Sequence, residues 1–123
     1  MQLNNQNFGA VRVVKMTGRI DHDNSEDFKN ALQPHLENCK EGGEVLVIDF
    51  SDVSYISSAG FRVLLLAHRH AATNKSAFAI GGAQSVVMEI FAISKFDKII
   101  SCHDSVRDAI ARLSPASLKH YPA

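Results

Sequence analysis

The sequence predicts an α/β fold, a mixed, mostly parallel sheet of four to five strands with about four helices, in one domain over residues 1–113. Three observations carry this. Short runs rich in β-branched residues alternate with amphipathic segments, and one run, Val45–Phe50, is almost continuously apolar, as a strand covered on both faces must be. Strands linked through helices make right-handed crossovers onto a parallel sheet, and an opening hairpin makes that sheet mixed. Finally, 123 residues with 46% apolar and 21% charged side chains suit a single ordinary core.

The elements follow in chain order. Leu3–Phe8 and Val11–Met16 read as the hairpin strands, joined through Gly9, the second ending at a Thr17–Gly18 turn. Asn24 is suited to cap a helix over 25–38 with Asp27 in its first turn, and Phe28, Ala31, Leu32 and Leu36 recur at helical spacing. Pro34 falls inside this helix, removing a backbone hydrogen bond and kinking it at a cost of about 3 kcal/mol. Lys40–Gly43 is a loop before the central strand Val45–Phe50. Ala59–Ala72 reads as the second helix, Ser76–Ile80 as a strand ending at Gly81–Gly82, Gln84–Ile93 as the third helix and Lys98–Cys102 as a short last strand. Ser105 with Asp108 resembles a capping box, and Val106, Ala109, Ile110 and Leu113 form the apolar stripe of a final helix. The tail 114–123, with two prolines, is expected to fray.

Composition excludes several functions. Thirteen basic residues balance thirteen acidic ones and are dispersed, so no footprint for nucleic acid or an anionic membrane is present. The longest apolar run, Val63–Ala67, is far too short for a span, and Met1–Phe8 lacks a signal peptide's apolar segment. The expected compartment is the cytoplasm, without membrane insertion. Cys39 and Cys102 have neither zinc-ligand spacing nor a disulfide framework and are expected to be reduced and mostly buried. Asp21-His22-Asp23 cannot converge on one ion, and His68 and His70, at i and i+2, face different sides of their helix, so neither metal nor cofactor is expected. Ser58, His22 and Asp21 make a hydrolase triad only on paper, because no Gly-x-Ser-x-Gly elbow accompanies them. Gly81–Gly82 lacks the GxGxxG pattern of a phosphate loop. No enzymatic activity is expected.

The informative stretch is Asp49–Leu65, where a buried strand runs through a polar loop into a helix beginning near Ser58. Its Ser57-Ser58-Ala59-Gly60 turn lies at the carboxyl end of a central strand, where α/β sheets present their binding loops. Either Ser57 or Ser58 has a structural use as an N-cap. A cap uses one serine rather than two, and Gly60 in the first turn costs about 1 kcal/mol relative to Ala while leaving the backbone open to approach. Phe61–Leu66 is more apolar than one buried face needs; the surplus packs on a neighbouring helix or forms a patch beside Ser58.

The same stretch resembles the signature of the STAS family, named for sulfate transporters and anti-sigma factor antagonists. So do Thr17-Gly-Arg-Ile-Asp-His (17–22) and the ending Phe91–Ile99. On that pattern the phosphoacceptor falls on Ser58, with Ser57 the second candidate, and the turn aspartate beside it on Asp21. Many members have Asp directly before the phosphoserine, where this chain has Ser57. The resemblance implies a bacterial, non-enzymatic anti-sigma factor antagonist that acts by partner switching. Unphosphorylated, it binds an anti-sigma factor that is also a serine kinase of the histidine-kinase-like ATPase fold; phosphorylated, it lets go, and a PP2C-type phosphatase resets it. Asp21, Asp23, Ser57, Gly60, Phe61 and Arg62 are then the residues around the phosphosite that face the partner. The alternatives are a STAS subunit of a membrane transporter complex and a nucleotide-sensing STAS module.

Overall fold

Two long strands make the frame. Val11-Arg-Val-Val-Lys-Met alternates between the sheet's faces, and this strand, β2 (Val11–Ile20), pairs antiparallel with β1 (Asn4–Phe8), Asn4 opposite Lys15 and Phe8 opposite Val11. In the computed structural model, which describes Met1 and residues 3–122, β2 also pairs parallel with β3 (Val45–Ile56). Completing the sheet are β4 (Phe78–Gly81) and the short edge strand β5 (Ser101–His103), both parallel to β3, in the order β1-β2-β3-β4-β5. The expected mixed, mostly parallel sheet is what forms.

Right-handed crossovers between strands that follow one another in sheet order put the linking helices on one face. These are α1 (Ser25–Leu36), α2 (Ser58–Thr73) and α3 (Ser85–Ile93). Phe28 and Leu32, Leu64 and Ala67, Val87 and Phe91 bury against Val14, Met16, Ile48 and Phe50 of the sheet. A fourth helix, α4 (Val106–Leu113), lies on the other face, where Val106, Ala109 and Ile110 cover Val11, Val13, Val47 and Ala79. Ser105 caps it as expected, its Oγ accepting from Asp108 N–H at 3.0 Å.

Beyond shifts of one or two residues at the ends of α1 and β4, four features depart from the sequence reading. β2 does not turn at Thr17–Gly18 but continues to Ile20, with Gly18 at φ +95°, a conformation that suits glycine. β3 runs past Phe50 through the polar stretch to Ile56, because Asp52, Val53 and Tyr55 pair with Thr17, Gly18 and Arg19. Two register shifts, between Lys15 and Thr17 and between Gly18 and Arg19, each insert an extra β3 residue. The last strand starts at Ser101, not Lys98, because Phe96–Lys98 winds into a 3-10 turn that buries Phe96. The tail expected to fray instead forms a 3-10 helix, Pro115–His120, against the hairpin. There Ser117 is 3% exposed and accepts from Ala10 N–H at 3.1 Å, while Tyr121 meets Phe8 edge-on at 5.0 Å. Leu118 and Tyr121 extend the cover that α4 is too short to give the outer strands.

Candidate functional site

The site begins where β2 and β3 end. Their parallel ladder closes with Ile20 beside Ile56, and Ser57 N–H donates to Ile20 O at 2.8 Å. The turn after β2 and the turn after β3 therefore leave the sheet side by side, bringing Asp21 next to the Ser57–Ser58 pair. Just below, the Arg19 guanidinium lies over the Tyr55 ring at 4.4 Å and Lys15 pairs with Asp52 at 3.0 Å, both across the two strands. Phe50–Ile56 extends beyond the last pair of β3 with β4, a reach of about 20 Å at strand rise. The serine pair thus stands at the tip of a stiffened two-stranded ribbon.

The two serines differ. Ser57 is the N-cap of α2, extended at φ −89° and ψ 171°, and its Oγ accepts from Gly60 N–H at 3.2 Å. Ser58 is the first residue of the helix, exposed, and its Oγ makes no hydrogen bond among the described residues. Ser57 Oγ is engaged by the Gly60 N–H, whereas the Ser58 hydroxyl is left without such a bond.

Asp21 is half-buried and shapes its own turn. Its Oδ1 accepts from Asn24 N–H at 3.0 Å, and Asn24 Oδ1 accepts in return from Asp21 N–H at 2.9 Å. Asn24 Nδ2 also donates to Arg19 O at 2.7 Å. Asn24 occupies the N-cap position of α1, but its side chain thereby locks the turn instead of capping the helix, contrary to the sequence reading. Asp23 stands exposed in the same turn.

Gly60 corrects a sequence inference. It is buried, and a Cβ there would lie 2.7 Å from both Ile20 Cγ2 and Ile56 Cγ1. Its smallness lets α2 sit close on the ends of β2 and β3; it does not open the backbone to a partner. Phe61 likewise packs inward, half-buried in an aromatic group: its ring stacks on Phe96 at 4.9 Å and meets Phe91 at 5.7 Å. The apolar surplus of α2 is thereby divided. Val63 and Leu64 enter the core, Phe61 and Leu65 pack at its margin, and Leu66 is left 47% exposed. Arg62 and Arg69 are exposed on either side of Leu66. The sequence reading reached Arg62, and Leu66 as part of the apolar surplus, but missed Arg69; its signal was the spacing from Ser58 in a helix without Asp or Glu.

No group of three or more His, Cys, Asp or Glu among the described residues is arranged to hold a metal ion. Both thiols are free; burial pushes Cys102 up to about 11, which leaves it protonated at neutral pH. No helix among the described residues is long and apolar enough to cross a membrane.

Residues 2–109 match the model of the STAS domain. The chain belongs to the STAS domain family. Solved structures repeat its architecture at low identity. An anti-sigma factor antagonist from Mycobacterium paratuberculosis is 19% identical with a TM-score of 0.79, covering 91% of this chain and 92% of that one. SpoIIAA, a Bacillus cell fate determinant, aligns in its unphosphorylated form at 16% identity and TM-score 0.70 (92% and 96% covered) and in its phosphorylated form at 15% and 0.62 (89% and 97%). Part of the murine anion transporter Solute Carrier 26 family member A9 aligns at 16% and 0.76, over 89% of this chain and 18% of the transporter. At such identities these likenesses speak for the fold, which is the STAS fold.

Proposed function

We propose that this STAS domain is an anti-sigma factor antagonist, a cytoplasmic binding protein switched by phosphorylation at Ser58. One observation carries the reading: Ser57 meets the capping need of α2, so the Ser58 hydroxyl is exposed, uncommitted and held on a rigid turn. In the family resemblance the phosphoacceptor falls on that residue, and SpoIIAA is known in both an unphosphorylated and a phosphorylated form. The domain is the substrate and not the catalyst. A partner kinase of the histidine-kinase-like ATPase fold supplies ATP; Ser58 Oγ bonds to the γ-phosphorus, ADP departs, and the hydroxyl proton passes to a base of the kinase. A PP2C-type phosphatase reverses the state by hydrolysis.

The physical consequence falls on the interface. A phosphate adds about −1.5 to −2 charge. The amino end of α2 tolerates it, since helix N–H groups and the dipole favour an anion there. A partner surface that had covered a neutral hydroxyl must then desolvate a dianion, and the complex dissociates without a rearrangement of the fold. Calorimetric titration of the source organism's anti-sigma factor kinase tests this. Ser58→Ala is expected to bind like the unmodified protein, and Ser58→Asp at least tenfold more weakly. Equal affinity of Ser58→Asp would sink the switch and favour constitutive assembly, as in a transporter complex.

A further inference from the structure

Helix α2 presents to solvent one line of side chains that begins at Ser58. Residues 58, 62, 66, 69 and 73 succeed one another in steps of three or four, and all five are exposed. The helix contains no Asp or Glu, and neither Arg62 nor Arg69 joins an ion pair among the described residues. In an α-helix the Cα–Cβ bonds tilt toward the N-terminus, so a side chain at i+4 leans back over residue i. Arg62 is therefore directed over Ser58, whose Oγ has no hydrogen bond among the described residues. Ser57 Oγ already holds Gly60 N–H. The backbone donors left at the start of the helix belong to Ser58 and Ala59.

Resting on the phosphoacceptor role of Ser58, we infer that Arg62 reads the state of that residue: a phosphate on Ser58 draws the Arg62 guanidinium back across the first turn into a charge-assisted pair. In the unmodified domain Arg62 and Arg69, with Leu66 between them, offer two free cations around an apolar side chain, a surface complementary to partner carboxylates. In the phosphorylated domain the first cation is consumed within the helix and the line begins with an anion. Modification thus both adds a charge and withdraws one that the partner used. A guanidinium suits this task because its planar fork grips two phosphate oxygens at once.

The test installs phosphoserine at position 58 of the full chain by amber suppression and follows the second ionisation of the phosphate by 31P NMR. A nearby cation favours the dianion, so its loss raises the midpoint. The Arg62→Gln midpoint is expected about half a pH unit or more above that of the arginine protein, with Arg62→Lys in between. Arg69→Gln, three turns from the phosphate, is expected to move it by less than a third as much, and thermal melts of these surface variants should coincide. An Arg62→Gln midpoint equal to or below that of the arginine protein, or equal displacement by Arg62→Gln and Arg69→Gln, would overturn the inference. Because no kinase is involved, this outcome is independent of whether cells phosphorylate Ser58.

Discussion

At Ser57 the hydroxyl accepts from Gly60 N–H at 3.2 Å, while one residue later the same group faces solvent. Ser57→Ala should therefore lose a cap and about 1 kcal/mol of stability, whereas Ser58→Ala should stay within about 0.5 kcal/mol. Gly60→Ala forces a methyl to within 2.7 Å of two buried isoleucines, and should cost roughly 1–2 kcal/mol despite alanine's better helix propensity. Urea denaturation of the three variants checks the order; a Ser58→Ala loss as large as that of Ser57→Ala would return Ser58 to a structural role. The sequence made the serine pair legible as a site but not its division of labour, which depends on β3 ending at Ile56 and not one residue later. It also misread Gly60, since the contacts that require glycine come from Ile20 and from the far end of a strand taken for a loop. Asp21 was found by its turn motif, yet its bond to Asn24 N–H is a tertiary detail that spacing does not specify.

Among the elements, the β2–β3 ribbon was the least legible. Its two bulges break the period-2 alternation, so that Val53 and Ile56, both buried, stand three apart and the polar residues around them read as loop. Helix α1 was easier, because its apolar spacing survives intact. Its tie to β2 carries a pH dependence. Arg12 Nη1 donates to His35 Nδ1 at 3.0 Å while Arg12 Nε pairs with Glu44 at 2.9 Å, so the imidazole serves as an acceptor and must be neutral. Burial first, and then the Arg12 charge, hold His35 below its ordinary 6.5, against an opposing pull from Glu44. The unfolded chain then takes up this proton more readily than the folded one. The stability from this group is present in full above about pH 6.5 and is lost as pH falls below it. His35→Gln should flatten the decline in melting temperature between pH 7.5 and 5; an unchanged slope would show that the other histidines or the carboxylates set it.

On the scale of the whole molecule, sheet order equals chain order, and this disposes the site. Each parallel crossover returns the chain in the same direction, so the loops after β2 and β3 open at one end, and α1, α2 and α3 share one face. Strand and helix alternation made the parallel sheet legible, and with it the meeting of the Asp21 and Ser58 turns. The docking of the tail was not legible, because it answers to a bare stretch of hairpin that α4 fails to cover. The charge neutrality that argued against nucleic acid is a global balance. Locally α2 is cationic, and that asymmetry is what a phosphate at its amino end would change. The proposed switch turns on which hydroxyl is modified. Phosphosite mapping by mass spectrometry, on the protein isolated from its native cells and after incubation with its kinase and ATP, measures this directly. The predicted result is phosphate on Ser58 with Ser57 unmodified; phosphate confined to Ser57, or a chain left unmodified by an active kinase, would contradict it.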